Sequence, residues 1–228
     1  MSSGLREPKE TENPIKFTRS LQLGMKKGSL IDFETTGRPR VDKEHEVVTL
    51  GYIEGNTVII KQRTIEDKGQ FYREIRGTLW ELPKPYHAYN AGFERGIMEA
   101  ELGISTGPQD FVDIMEPWKA WAESLYLKWP SLDELISEPY TYFKGQRISG
   151  KDVPGLWKTY LSSRDGKIPK AISDHCLSDI SREAILYITY QGAIGPEGFQ
   201  LPPFGSPFEP LRAPCLSLPE LRSRGRTS

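Results

Sequence analysis

The sequence contains few cysteines, no long apolar run and almost no excess charge. Cys176 and Cys215 are its two cysteines, too few for the disulfide framework of a small secreted domain and not spaced as in a zinc site. A reducing, cytoplasmic location is therefore expected. No apolar stretch reaches the length of about 20 residues that crosses a membrane, and the segment from Met1 to Lys16 is polar. These features predict a soluble protein with no membrane partner.

The small net charge excludes a further class of protein. A formal net charge of −1 at pH 7 provides no overall basic field of the kind that drives non-specific binding to duplex DNA. This argues against a DNA-packaging or repressor function, but it is compatible with an enzyme that has a local basic groove. Charged residues make up 27% of the 228-residue chain and hydrophobic residues 37%, which favours a folded globular protein over a disordered one.

The composition divides the chain into three regions. Residues 1–18 are rich in charge and are expected to form a flexible N-terminal arm. Residues 19–192 carry regular patterns and are expected to fold as one domain. Residues 193–228 form a Pro- and Arg-rich C-terminal tail, whose prolines interrupt any regular element. We expect the tail to wrap the domain or to join a second copy in a homo-oligomer; contact with nucleic acid is the alternative.

Hydrophobic patterns in the middle region predict an α/β fold. A strand with an apolar start precedes two more strand patterns at 47–53 and 57–61, whose short connection is typical of a hairpin. These three strands are expected to form an antiparallel meander. Short strands at 86–89 and 110–115 then alternate with helical patterns at 69–82, 93–102, 118–129, 131–136, 153–162 and 172–190. The sequence therefore predicts a mixed five-stranded sheet flanked by helices.

The segment Ser29–Gly37 carries the most informative motif. Asp32 and Glu34 are two residues apart in a strand pattern, so both carboxylates leave the same face of the strand. Adjacent carboxylates repel one another and are unsuited to a core unless a cation joins them. Oxygen ligands favour a hard ion such as Mg²⁺ or Mn²⁺. An edge strand that exposes its acids to water is the alternative.

Two later motifs supply possible partners for these acids. In Asn90–Glu94, a strand is followed by a turn of small residues and by a carboxylate in the first turn of a helix. Such an acid can also serve only to complement the helix dipole. In His175–Asp179, the two named side chains are four residues apart and therefore share one face of a helix. A surface ion pair is the alternative for them.

These three motifs, in this order, resemble those of the DnaQ-like (DEDD) 3′–5′ exonucleases in the ribonuclease H-like superfamily. The similarity covers residues 30–190, and the stretch from Gly150 to Trp157 before the histidine-bearing helix resembles the YprB-like branch. The resemblance implies a ribonuclease H-like exonuclease domain over residues 19–192. It also implies cleavage of single-stranded DNA or RNA with two Mg²⁺ or Mn²⁺ ions.

The resemblance also implies roles for individual residues. The metal-binding acids fall on Asp32, Glu34, Glu94 and Asp179, and His175 falls on the position of the catalytic base. A 3′-terminal nucleotide would be bound by Thr35, Thr36, Asn90 and Phe93.

Two features differ from the usual motifs. The second motif normally ends in aspartate rather than glutamate, and the histidine stands four residues before the aspartate instead of five. A catalytically impaired ribonuclease H-like module that binds nucleic acid is therefore the alternative function.

Other polar and aromatic residues have less definite roles. Asp113 either lines the cleft or caps a helix. A basic cluster of Lys144, Arg147 and Lys151 either follows the phosphates of a nucleic acid or is a solvated loop. The tryptophans Trp118, Trp121 and Trp129 are expected in the core, with base stacking as the alternative.

Overall fold

The computed structural model describes residues 17–20, 28–39, 41–54, 57–65, 68–136, 148–195 and 198–199. Within these ranges a mixed sheet has the strand order β1-β4-β3-β2-β5-β6. Its strands are β1 (Phe17–Ser20), β2 (Ser29–Thr35), β3 (Val47–Glu54), β4 (Thr57–Gln62), β5 (Tyr86–Ala88) and β6 (Phe111–Asp113). A two-stranded antiparallel sheet pairs β7 (Ile194–Gly195) with β8 (Gly198–Phe199).

The helices connect and cover these strands. They are α1 (Lys68–Glu81), α2 (Ala91–Ala100), α3 (Glu116–Ser124), α4 (Leu132–Leu135), α5 (Val153–Ser163) and α6 (Lys167–Ala193). A single 3₁₀ turn, Pro108–Asp110, leads into β6. The predicted α/β class, with a mixed sheet flanked by helices, is confirmed.

Strand β2 lies in the middle of the sheet because it pairs on both sides. It is antiparallel to β3, with Asp32 opposite Gly51, and parallel to β5. All seven of its residues are buried, as expected for a central strand covered on both faces. The pairing with β3 shifts register between Glu34 and Thr35, so the strand becomes irregular directly after the two acids.

The two faces of the sheet carry separate hydrophobic clusters. Ile31 and Phe33 of β2 pack with the apolar faces of α1 and α2. Leu30 of the same strand belongs to the opposite cluster, which includes Ile180 and other apolar residues of α6. Each fully buried aliphatic side chain contributes about 1.5–3 kcal/mol to folding, so the α6 cluster fixes that helix over β2. Because side chains alternate along a strand, Asp32 and Glu34 point toward α6.

Three sequence predictions need correction. The five predicted strands are β2 to β6, but β1 pairs antiparallel with β4 and adds a sixth strand at the edge. Its four residues are too short a run to show a pattern in sequence. Two helices have other bounds than predicted: the last begins at Lys167 rather than at residue 172, and the helix predicted at 118–129 ends at Ser124. Trp118 is buried as predicted, whereas 47% of the Trp129 side chain is exposed, because it follows α3 in an irregular surface segment.

Some sequence predictions concern residues outside the described ranges. These are most of the N-terminal arm, nearly all of the C-terminal tail, and two members of the basic cluster, Lys144 and Arg147. Among the residues that the structure describes, no helix has the length and apolar character needed to cross a membrane.

Candidate metal centre

The first two candidate acids are held by the central strand. Asp32 and Glu34 lie on the α6 face of β2 and are 9% and 5% exposed. Between them, Phe33 belongs to the opposite core cluster. The alternation of β2 therefore directs two carboxylates toward α6, and it directs the intervening phenyl ring into the hydrophobic core on the other face of the sheet.

Helix α6 brings the third motif against these acids. His175 Nε2 lies 3.6 Å from Glu34 Oε1, and His175 Nδ1 lies 3.6 Å from Asp179 Oδ1. The imidazole is therefore flanked by one carboxylate from the strand and one from its own helix. One donor atom from each of Glu34, His175 and Asp179 lies within 4.8 Å of the other two.

The close approach of α6 to the sheet depends on a glycine. A Cβ atom at Gly51 of β3 would lie 2.6 Å from Cys176 Sγ, so only glycine leaves room for the thiol here. Cys176 is buried, hydrogen-bonds Asp32, and has a thiol pKa held far above its usual range by burial and then by the neighbouring carboxylates. A protonated thiol is a hydrogen-bond donor rather than a metal ligand.

Glu94 approaches from the first turn of α2. It is 3% exposed, and the carboxylates that act most strongly on it are, in order, Asp32, Glu183 and Glu34. Asn90 lies immediately before α2 and has a left-handed backbone with φ 65°, which asparagine tolerates better than most residues. Its N–H donates to Asp113 Oδ1 at 3.1 Å. Asp113 therefore fixes the turn from which Glu94 projects.

Two residues of α6 near this centre were missed in the sequence. Glu183 is 2% exposed, and Arg182 is 4% exposed. Arg182 hydrogen-bonds both Asp179 and Asp133, so it helps to fix the position of Asp179, one of the candidate ligands. The signal for Glu183 was present, because it continues the four-residue spacing of His175 and Asp179 by one more helical turn.

The carboxylates raise one another's pKa values. The pKa of Asp32 is raised to about 7, first by burial and then by the charge of Asp179. Burial and neighbouring carboxylates also raise the pKa values of Glu34, Glu94 and Glu183 well above their usual range. Without a cation, the folded protein therefore disfavours the simultaneous ionisation of these acids.

The residues fit a site for a hard divalent cation. Among the described side chains, Asp32 Oδ2, Glu94 Oε2 and Glu183 Oε2 are buried and have no hydrogen-bond partner. An unpaired buried carboxylate oxygen is costly, and a cation would supply the missing partner. The available donors are mostly carboxylate oxygens, which suit Mg²⁺ or Mn²⁺ better than a thiophilic metal.

The predicted nucleotide-binding residues differ in their exposure and in their contacts. The Thr35 hydroxyl donates to the Gly37 carbonyl at 2.6 Å, and the Thr36 hydroxyl accepts from the Glu46 N–H at 2.9 Å. Both threonines thus stabilise the turn after β2. Phe93 is partly buried and packs against the α1–α2 cluster, whereas Asn90 is exposed. Asn90 is therefore the most accessible of the four.

The family of the chain can now be stated. A family model named RNase_H_2 and described as RNase_H superfamily matches residues 30–191. The chain belongs to the RNase_H superfamily. This match begins in β2, before Asp32, and ends in α6, after Asp179, so it spans all three motifs. The RNase H-like fold suggests an activity that cleaves nucleic acid, and enzymes of this kind use divalent metals.

Comparison with solved structures gives a weaker result. A structure described as "apo form of the nuclease" is 14% identical to this chain, with a TM-score of 0.37; the match covers 73% of this chain and 75% of that one. Among curated proteins, no significant match is found.

Proposed function

We propose that the protein is a metal-dependent 3′–5′ exonuclease that hydrolyses phosphodiester bonds in single-stranded DNA or RNA. This places it with the DnaQ-like (DEDD) exonucleases, near their YprB-like branch. The observation that carries the proposal is the position of His175 between Glu34 of β2 and Asp179 of α6. A base beside paired carboxylates suits metal-assisted hydrolysis, because the carboxylates can hold the ions and the base can accept a proton from water.

The metal ligands of this enzyme would be Asp32, Glu34, Glu94 and Asp179. The unpartnered oxygens of Asp32 and Glu94 support this assignment. Two bound Mg²⁺ or Mn²⁺ ions would stabilise the charge that develops on the attacking and leaving oxygens. The protein contributes burial: the acids lie beside the hydrophobic clusters around β2 and α6 and are largely shielded from solvent, which strengthens electrostatic interactions within the site.

His175 would act as the general base. Both of its ring nitrogens lie 3.6 Å from a carboxylate oxygen, which is an ion-pair distance rather than a hydrogen bond. The ring can therefore take a proton from water at one nitrogen, and the flanking carboxylates of Glu34 and Asp179 stabilise the imidazolium that forms. General base catalysis of this kind contributes about 10²–10⁴-fold to the rate.

The 3′-terminal nucleotide would lie against the turn after β2 and the start of α2. Asn90 would contact it through its exposed amide, while Thr35 and Thr36 would shape the turn and Phe93 would offer a ring edge. Because the protein has a net charge of −1, the centre itself would supply most of the attraction for phosphate once cations are bound.

A catalytically impaired module that binds nucleic acid is the second candidate. The observation in its favour is Glu94, whose side chain is one methylene longer than that of the usual aspartate and has a buried oxygen without a partner. Such a module would bind single strands without cutting them.

Nucleotide release from single-stranded DNA and RNA labelled at the 5′ end tests the proposal. We expect Mg²⁺- or Mn²⁺-dependent shortening from the 3′ end by the wild type, no shortening by Asp32→Asn, and no cleavage of closed circles. Cleavage of circles would indicate an endonuclease. Strand binding without shortening by the wild type would support the impaired module instead.

A further inference from the structure

Glu183 is a fifth carboxylate at the centre, beyond the four acids of the exonuclease motifs. It lies one helical turn after Asp179, on the same side of α6. Its side chain is 2% exposed, and the carboxylates that act most strongly on it are Asp32 and Asp179. An ionised glutamate in this position would add a further negative charge to a centre that already contains several carboxylates.

The contacts of Glu183 leave one of its two carboxylate oxygens without a partner. The carboxylate accepts a hydrogen bond from the Tyr89 N–H, one residue before the turn that carries Asn90. Its Oε2 atom is buried and has no hydrogen-bond partner among the described residues. Acceptance from a backbone N–H needs no charge, since an amide oxygen performs it equally well. The second oxygen therefore lacks the partner that a buried charge requires.

The neighbouring arginine does not fill this role. Arg182 directs its guanidinium nitrogens to Asp179 and to Asp133. The two terminal nitrogens of Arg182 are thus bonded to other carboxylates than Glu183. A cation bound among the acids would supply the partner that Glu183 Oε2 lacks.

Asp32 and Glu94 share the unsatisfied state of Glu183. The carboxylates that act on Glu94 are led by Asp32, with Glu183 second. Asp32 and Glu94 each also have one buried oxygen without a partner. Three carboxylates, from β2, α2 and α6, therefore each have one buried oxygen without a hydrogen-bond partner.

We propose that Glu183 is a direct ligand of a divalent cation at this centre, in addition to the four acids of the proposed exonuclease site. This inference rests on the proposed function, because it concerns the same metal centre. Mg²⁺ and Mn²⁺ take about six oxygen ligands, so the centre can accept an additional carboxylate.

Calorimetric titration of the metal-free protein with Mn²⁺ tests this role directly. The variant Glu183→Gln keeps the shape of the side chain and its acceptor for the Tyr89 N–H, but it removes the anionic ligand. We expect its Mn²⁺ affinity at one site to fall by about tenfold or more. The control Glu116→Gln removes the same charge from α3, where the side chain is 72% exposed, and should bind Mn²⁺ as the wild type does.

The outcomes separate this inference from the proposed function. If Asp32→Asn loses Mn²⁺ binding while Glu183→Gln retains full affinity, Glu183 is no ligand and the nuclease proposal stands. An equal loss in Glu116→Gln would show a general field effect and would also exclude direct ligation. If the wild type binds no Mn²⁺, both proposals fail. Should Glu183→Gln not fold, as judged by circular dichroism, Glu183→Asp replaces it, with the same expected loss because its carboxylate is withdrawn by one methylene.

Discussion

His175 Nε2 lies 3.6 Å from Glu34 Oε1, although one residue belongs to the central strand and the other to the last long helix. This contact brings the first sequence motif and the third together in one acidic site. It also places the only imidazole of the three motifs beside a carboxylate whose pKa is raised by burial and by Asp32. The geometry leads to four predictions about stability and activity.

The stability of the metal-free protein should fall as the pH rises. The pKa of Asp32 is raised from its ordinary value of 3.8 to about 7, so the folded state retains a proton that the unfolded state releases in this range. The free energy of unfolding should therefore decrease between pH 4 and pH 7, by about 4 kcal/mol from this group alone. Urea unfolding in EDTA at several pH values measures the slope of the free energy of unfolding against pH.

The variant Asp32→Asn is the control for this slope. It cannot ionise, so it should unfold with a shallower pH dependence and should be more stable than the wild type at pH 8. Equal slopes for the two proteins would contradict the assignment of a raised pKa to Asp32.

His175→Gln should separate catalysis from metal binding. Because the imidazole would act on water while carboxylates hold the ions, the variant should lose about 10²–10⁴-fold in kcat and keep Mn²⁺ affinity within a few-fold. Single-turnover kinetics and Mn²⁺ titration provide the two measurements. A loss of affinity equal to that of Asp32→Asn would instead identify His175 as a ligand.

Arg182→Gln should destabilise the metal-free protein strongly. Arg182 is buried and hydrogen-bonds Asp179 and Asp133, so its removal leaves Asp179 without its guanidinium partner among other acids. Breaking a buried pair on one side costs about 3–5 kcal/mol. Chemical unfolding in EDTA measures the loss, and Mn²⁺ should recover part of it by neutralising the cluster.

The matched control for this variant is Arg76→Gln, since Arg76 lies on the exposed side of α1. This variant should change the free energy of unfolding by no more than about 0.5 kcal/mol. If Arg182→Gln lowers the free energy of unfolding as little as Arg76→Gln does, the guanidinium does not offset the repulsion among the carboxylates.

Gly51→Ala should displace α6 from the sheet. The new Cβ would meet Cys176 Sγ at 2.6 Å and Ile60 Cδ1 at 3.1 Å, and overpacking of this kind costs about 1–3 kcal/mol. Activity should fall too, because α6 carries His175 and Asp179. Thermal unfolding of the single variant and of Gly51→Ala/Cys176→Ala tests the cause, since removal of the sulfur should recover much of the loss.

Gly77→Ala is the control for the backbone change. A Cβ atom at this exposed position of α1 meets nothing within 4 Å, so alanine should stabilise the helix by about 0.5–1 kcal/mol. Destabilisation of both variants to the same extent would exclude the proposed clash.

The sequence predicted the central part of the fold because its patterns there are strong. The two-residue spacing of Asp32 and Glu34 implied one face of a strand, and the structure directs both toward α6. The four-residue spacing of His175 and Asp179 implied one face of a helix, and both lie at the centre. Edge strand β1 was not predicted, because pairing with β4 stabilises its four residues more than any local pattern does.

The rest of the centre depended on tertiary contacts that sequence does not encode locally. Glu183 continues the four-residue spacing of His175 and Asp179, but Ser181 and Arg182 beside it give the segment the pattern of a polar surface, and only the fold shows that Glu183 is buried. Trp129 was predicted in the core from its residue type, yet it is 47% exposed. The hydroxyls of Thr35 and Thr36 were predicted to meet substrate, while the structure shows them in hydrogen bonds of their own turn; their role toward a nucleotide stays a prediction.

A crystal structure with Mn²⁺ tests the central claim most directly, because anomalous scattering identifies the ion and its position. We expect two peaks at the acidic centre, within bonding distance of carboxylate oxygens of Asp32, Glu34, Glu94 and Asp179. The absence of peaks there at millimolar Mn²⁺, with His175 and Glu34 still in contact, would contradict a metal-dependent nuclease.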